Sequence, residues 1–188
     1  MLEVELKFPC PKLEPVRAAL LRLGARPSGS KAESDLYFNA PDRDFSRTDE
    51  ALRLRRRGRE NFLTYKGPKI DRSTKTRVEV EVPLANGPAA ARDAVSLLAY
   101  LGYRRVSWVR KRRRSLSLRR NGFPVEACLD EVDSVGRFVE LEVRAPSKML
   151  GRARKALFEL AAELGLCGAE RRSYLELLLL KNGARRHG

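Results

Sequence analysis

Four stretches of this chain put ionisable side chains at every second position with aliphatic residues between them. They are Glu3-Val4-Glu5-Leu6-Lys7, Leu52-Arg53-Leu54-Arg55, Arg77-Val78-Glu79-Val80-Glu81-Val82 and Val139-Glu140-Leu141-Glu142-Val143-Arg144. In an extended strand a spacing of two puts both members of a pair on one face, about 7 Å apart along the chain. Carboxylates that close repel each other, and burial raises the cost of keeping both ionised. A divalent cation between them reverses the balance, because hard cations take carboxylate oxygens. The basic positions invite the complementary chemistry. Lys7, Arg53, Arg55, Lys66, Lys111 and Arg113 all fall on predicted strands, and together they would grip a polyphosphate through charge-assisted, partly bidentate hydrogen bonds.

A charged strand face is more often simply solvated, and each pair alone carries that reading. The Arg-rich stretch 53–59 and the run Arg110 to Arg114 read equally well as a nucleic-acid patch. Other chemistry finds no footing. No Ser/His/Asp or Cys/His arrangement offers a conventional covalent nucleophile. The glycines do not form the phosphate-cradling G-x-x-x-x-G-K loop. Cys10, Cys128 and Cys167 are odd in number and lack metal-ligand spacing, and the single His187 sits near the C-terminus, so neither zinc nor a disulfide framework is expected.

The positioning elements follow from periodicity. The 188 residues suit one domain with its own core. Apolar spacing predicts amphipathic helices over 13–23, over 88–101 after the turn at Asn86-Gly87, and over 147–164 from a Ser147 cap, with a short fourth after Ser173. Alternation predicts strands around the four ionic stretches and over 35–38, 61–66, 105–110, 114–120 and 124–131, eight or nine in all. Asn121-Gly122 suits a hairpin turn. The order strand, helix, strands, helix, strands, helix suggests a pseudo-repeat. If the ionic faces point inward, the aliphatic faces point outward and the helices must cover them.

The net charge is +15, from 39 Lys and Arg against 24 Asp and Glu. That implies an anionic partner without choosing one. The N-terminus opens on charged residues and the longest apolar run, Leu177 to Leu180, is far too short for a bilayer, so a cytoplasmic protein with no membrane partner is expected.

The ordered set of motifs resembles the CYTH superfamily, the triphosphate tunnel metalloenzymes. Glu3-x-Glu5-x-Lys7 is similar to that family's ExExK signature. It is followed by Asp35-x-Tyr37-Phe38, Arg53-Leu54-Arg55, Tyr65-Lys66-Gly67-Pro68, Glu79-Val80-Glu81, Lys111-x-Arg113, Asp130, Phe138-x-Glu140-x-Glu142 and Ser173-Tyr174. The resemblance covers roughly 1–180 and leaves 181–188 as a basic tail. It implies an α+β fold: an eight-stranded antiparallel β-barrel, the tunnel, with amphipathic helices packed outside. It implies that Glu3, Glu5, Asp130, Glu140 and Glu142 serve Mg²⁺ or Mn²⁺. Glu79 and Glu81 would form a further acidic pair, and Lys7, Arg53, Arg55, Lys66, Lys111 and Arg113 would hold the triphosphate. Family members are often homodimers. The Tyr-Lys-Gly-Pro segment, Leu101-Gly102-Tyr103 and the ending Arg172 to Leu178 look most like the class IV adenylyl cyclase branch, which converts ATP to cyclic AMP and pyrophosphate. Inorganic and thiamine triphosphatases share the tunnel. A non-catalytic basic module binding RNA or a phosphorylated ligand is the rival of another class. It accounts for the charge but not for the paired carboxylates, which repel a phosphate backbone.

Overall fold

A computed structural model describes residues 2–70 and 74–184. Eight strands form one antiparallel sheet: β1 (Leu2–Pro9), β2 (Arg26–Asn39), β3 (Ala51–Arg57), β4 (Glu60–Lys66), β5 (Glu79–Leu84), β6 (Arg104–Arg120), β7 (Phe123–Val132) and β8 (Gly136–Ala145). Their spatial order is β1-β8-β7-β6-β2-β3-β4-β5. The two expected strands at 105–110 and 114–120 are one long β6, because the ladders to β2 and β7 run through Lys111 and Arg113. β6 turns into β7 at Asn121-Gly122, where both residues take the left-handed φ values, 49° and 84°, that a two-residue hairpin demands.

The sheet curls, and its two edges meet without a β1–β5 ladder. Residues 74–77 run beside β1, with a bridge between Glu3 and Arg77 and a hydrogen bond from the Lys75 N–H to the Glu5 carbonyl at 3.0 Å. The same stretch then bends into β5, where Glu79 pairs with Lys66 on β4. One stretch of chain thus changes partner at a corner and joins the edges.

Helices α1 (Leu13–Arg22) and α4 (Leu150–Glu163) cover the aliphatic outer faces of β1, β7 and β8. Val4, Leu6, Leu129, Leu141 and Val143 pack there against Leu20, Leu157 and Leu160, all nearly inaccessible to water. Fully burying one such side chain is worth about 1.5–3 kcal/mol, so this layer is the main source of fold stability. Helix α3 (Pro88–Tyr100) covers Leu36, Leu52 and Leu54 in the same way. It starts with Gly87 at its N-cap and Pro88 in its first turn. The expected helix at 147–164 begins instead as a 3-10 turn over Ser147–Met149, and α4 proper starts at Leu150 with no side-chain cap.

Two short elements depart from the expected layering. A single turn, α2 (Phe45–Thr48), is capped by Asp44, whose carboxylate accepts from the Ser46 N–H. Helix α5 (Tyr174–Ala184) is placed at one end of the curl rather than on its outside. Its Tyr174 and Leu178 pack on Tyr37, Val109, Val132 and Phe138. These residues share the inward face with Asp35, Lys111 and Glu140, so α5 closes that end with an apolar plug. It also continues through 184 into what the sequence suggests is tail, while 185–188 and His187 lie outside the described residues. No helix among the described residues is long and apolar enough to cross a membrane.

Candidate active site

Register decides which ionic side chains share the interior. Glu5 stands opposite Glu142, and Lys7 opposite Glu140. Asp130 faces Arg113, Asp35 faces Arg55 and Tyr37 faces Arg53, and Glu79 faces Lys66. Because facing residues in an antiparallel pair lie on the same side of the sheet, these matches put one ionic residue after another around the inner wall. The wall encloses a cavity of about 730 Å³. Twelve carboxylates and eleven basic side chains line it among the described residues. The interior is close to electroneutral by itself.

The charges are interleaved, and at one place three carboxylates crowd together. Single oxygens of Glu5, Glu140 and Glu142 lie within 4.8 Å of one another. Three ionised carboxylates cannot crowd this way unaided. Burial first, and then Glu3, Glu140 and Glu5, push the Glu142 carboxyl up to about 8 against the pull of Arg113. Glu140 goes the other way: burial opposes its ionisation, but Arg113, Lys111, Lys75 and Lys7 hold it well below the ordinary carboxylate value. Burial also raises Glu3, opposed by Lys66. This set of oxygen donors fits a hard divalent cation, which would relieve the crowding and discharge the retained proton.

Cations thread through the rest of the lining, and Lys75 and Arg113 reach the cluster itself. Arg55 grips Asp35 with two hydrogen bonds of 2.7 Å, and Arg53 reaches the same carboxylate at 3.4 Å. Lys66 bridges Glu3, at 3.4 Å, and Glu79. Lys111 sits between Glu33, at 3.4 Å, and Asp130, at 3.2 Å. Arg113 holds Asp130 through Nε at 2.8 Å and Nη2 at 2.6 Å, and also contacts Glu140 and Glu142. These contacts pre-position the cations, so an anionic ligand meets fixed donors rather than free side chains.

The sequence-predicted residues therefore converge, with different partners. Glu5, Glu140 and Glu142 form the tightest group, while Glu3 and Glu79 share Lys66. Glu81 accepts from Thr64 at 3.2 Å. Asp130, wholly buried, is taken up by Arg113, Lys111 and the Tyr174 hydroxyl at 2.9 Å, and it lies outside the three-carboxylate group. Lys7 does not line the cavity. It is 1% exposed and lies over the rings of Tyr174, at 4.2 Å, and Phe138, at 5.6 Å. Its ammonium donates to the Arg172 carbonyl. Burial, then the neighbouring Lys75, lowers it to about 7.

Further lining residues are not among the site residues expected from the sequence. Lys75 contacts Glu5 at 2.6 Å, Lys69 pairs with Asp49, Arg57 reaches Glu33 at 3.0 Å, and Arg77 lines the cavity from the ring-joining stretch. The segment Ser73-Thr74-Lys75-Thr76 has no apolar alternation to announce a strand. Its only signal is a Lys and an Arg two apart, which is weak alone.

A curled antiparallel sheet whose interior interleaves carboxylates with guanidinium and ammonium groups around one cavity defines a tunnel protein. The chain belongs to the CYTH domain family, whose pattern matches residues 1–174. It is 36% identical over 182 residues to MJ0240 of Methanocaldococcus jannaschii, named as a candidate adenylate cyclase, spanning 94% of this chain and 98% of that one. Among solved structures, the PH1819 protein of Pyrococcus horikoshii is 39% identical with a TM-score of 0.84, covering 95% of this chain and 99% of that one. At the level of fold alone, HpAC1 of Hippeastrum matches with a TM-score of 0.69 and 16% identity over 95% of each chain. Its description reads as a candidate adenylyl cyclase with a dominant triphosphatase activity.

Proposed function

We propose that this chain is a divalent-metal-dependent enzyme acting on a triphosphate in the tunnel, and that its reaction converts ATP to cyclic AMP and pyrophosphate. One observation carries the reading: a cavity with near-equal numbers of acidic and basic lining groups, within which oxygens of Glu5, Glu140 and Glu142 crowd within 4.8 Å of one another. A near-neutral interior has little pull on a lone polyanion. It suits a polyanion that arrives with Mg²⁺ or Mn²⁺, since Glu5, Glu140 and Glu142 would take the cation and leave the basic groups in excess.

Bound there, the cation would supply charge neutralisation at the phosphate oxygens and lower the pKa of an attacking hydroxyl or water. The chain's own residues do the rest. Arg53, Arg55, Lys66, Lys111 and Arg113 fix the phosphate oxygens, which holds the α-phosphorus in line with the ribose 3′-hydroxyl. Attack by that hydroxyl forms the cyclic phosphodiester, breaks the bond to pyrophosphate and gives up its proton to water. The same charges stabilise pyrophosphate as it leaves. Glu79 orients Lys66, and Asp35 orients Arg53 and Arg55.

The second reading is hydrolysis of inorganic or thiamine triphosphate on the same wall. It is favoured by the likeness of fold to a protein described as mainly a triphosphatase, since a shared tunnel does not choose the nucleophile. The test offers ATP, tripolyphosphate and thiamine triphosphate separately to purified protein with Mg²⁺ or Mn²⁺. Cyclic AMP with pyrophosphate is expected from ATP, and Glu3→Gln is expected to abolish turnover while the fold persists. Orthophosphate without cyclic AMP would replace the cyclase by the triphosphatase. Absence of product from all three would overturn both readings.

A further inference from the structure

The tunnel does not absorb the chain's excess charge. Its lining holds one more carboxylate than basic groups among the described residues, so the +15 of the whole sequence is carried by residues that do not line it. The Arg-rich run of β6 shows how it is distributed. Lys111 and Arg113 face inward opposite Glu33 and Asp130, while Arg110 and Arg112 face outward opposite Ser34 and Ala32 of β2. On the far side of Ser34 stands Arg56 of β3. The outward row of β6 continues through Trp108, opposite Leu36, and, beyond a β-bulge, Arg105, opposite Phe38.

This strip lies in a gap between the helical layers. Helices α1 and α4 cover β1, β7 and β8, and α3 covers the Leu36, Leu52 and Leu54 region. Ala32 and Ser34 are too small to fill the space between the arginine rows. The neighbouring charges are already engaged: Arg114 with Glu14 at 2.6 Å, and Glu131 with Arg137 at 3.7 Å. Arg110 and Arg112 are exposed; Glu131 stands opposite Arg112 on β7, but its carboxylate is drawn to Arg137. Trp108 is 41% exposed, unlike Tyr37, Phe38 and Phe138, which are buried as strand aromatics usually are. The Arg110 guanidinium lies 6.0 Å from its ring.

We propose that the outer face of β2 and β6 is a docking surface for single-stranded nucleic acid. Arg105, Arg110 and Arg112 would take backbone phosphates and Trp108 a stacked base. Charge complementarity selects a polyanion. The exposed indole beside a guanidinium selects one with aromatic faces, because base–aromatic stacking adds about 1–3 kcal/mol per base and an acidic peptide offers nothing to stack. A duplex keeps its bases stacked on each other, so an unpaired strand fits. The surface is independent of the tunnel reading: β6 presents alternate residues to two separate ligands.

The test is fluorescence anisotropy of a short labelled oligouridylate with the full chain, with and without saturating tripolyphosphate. Binding is expected to survive tripolyphosphate. In the double variant Arg110→Glu, Arg112→Glu it should weaken at least about tenfold, and the log–log salt slope should shrink by about 1.4, two phosphates at ~0.7 each. Trp108→Ala should weaken oligouridylate binding while leaving binding of a poly-glutamate peptide unchanged. Melting temperature and tunnel turnover should not move in these variants, which confirms that they fold. The proposal is overturned if the oligonucleotide fails to bind at low salt. Displacement by tripolyphosphate, with indifference to the double variant, would put the strand in the tunnel. Equal displacement by poly-glutamate, with indifference to Trp108→Ala, would make the face an acidic-protein surface.

Discussion

Lys75 and Glu5 are joined twice: the ammonium lies 2.6 Å from the Glu5 carboxylate, and the Lys75 N–H donates to the Glu5 carbonyl at 3.0 Å. The carboxylate is one of the three that cluster within 4.8 Å, and the backbone bond is part of the junction between the sheet's edges. Burial opposes the charge on Lys75, yet Glu5 and Glu140 hold its pKa above the usual lysine value. The ammonium is therefore a resident monovalent charge on the acidic cluster.

A divalent cation at that cluster must compete with Lys75 for Glu5. Lys75→Met should destabilise the metal-free protein by about 3–5 kcal/mol, the usual consequence of stripping one partner from a buried ion pair. It should also tighten Mn²⁺ binding, by about tenfold if roughly 1.4 kcal/mol of competition is removed. Thermal melts with and without Mn²⁺, together with calorimetric titration, check both. Unchanged or weaker Mn²⁺ binding would show that Lys75 does not compete at this site.

Glu142 supplies a pH signature. Its folded pKa of about 8 exceeds the ordinary value of 4.5, so between those limits the folded chain keeps a proton that the unfolded chain has lost. Stability from this group is full below about pH 4.5 and declines as pH rises towards 8. Glu142→Gln should remove that slope and melt higher than the parent at alkaline pH without metal. Cation binding near neutral pH should expel this proton, giving release of up to about one proton per chain in buffers of different ionisation enthalpy. The same titration on Glu142→Gln should show none.

Much of this arrangement was legible because an ionic residue at every second position is an unusual thing for a strand to carry. Glu3, Glu5, Glu140 and Glu142 are readable from spacing, as are Arg53 and Arg55, since alternation fixes the face and the outer aliphatic residues fix which face points in. Partner choice is not readable the same way. Nothing local says that Asp130 is claimed by Arg113 and the Tyr174 hydroxyl, because Tyr174 arrives from 44 residues away. The position of α5 at the tunnel's end depends on Tyr37, Val109, Val132 and Phe138 being inward yet apolar, an exception to the ionic rule on their own strands. Lys75 was hidden in a stretch without strand periodicity. The run from Arg110 to Arg114 supported two readings because it serves two faces, and only the register against β2 and β7 divides it.

Asp130 ties the wall to the plug. It accepts from Arg113, Lys111 and Tyr174 and is 0% exposed. Asp130→Asn should leave two buried cations short of their counter-charge and cost about 3–5 kcal/mol, read as a lower urea midpoint. Tyr174→Phe deletes a single hydrogen bond and should cost about 1–3 kcal/mol. Both should increase proteolytic cleavage near α5. If Tyr174→Phe equals Asp130→Asn in cost, then anchoring the plug, not satisfying Arg113, is what Asp130 does.

Lys7 titrates against the trend of the carboxylates. Its folded pKa of about 7 lies below the ordinary 10.5, so between these values the unfolded chain carries a proton that the folded chain has shed. Stability linked to this group therefore rises as pH climbs from about 7 to 10.5. Lys7→Met keeps an unbranched apolar stem against Tyr174 and Phe138 but has nothing to titrate. The variant should lose that alkaline rise, and its melting temperature should gain on the parent's most at pH 6 to 7, where the parent is charged. Because Lys7 also donates to the Arg172 carbonyl, the variant gives up one hydrogen bond at every pH, a constant offset that the pH profile separates from the titration. A parent profile already flat between pH 7 and 10, unchanged by the substitution, would mean that Glu140, opposite it on β8, keeps Lys7 protonated throughout.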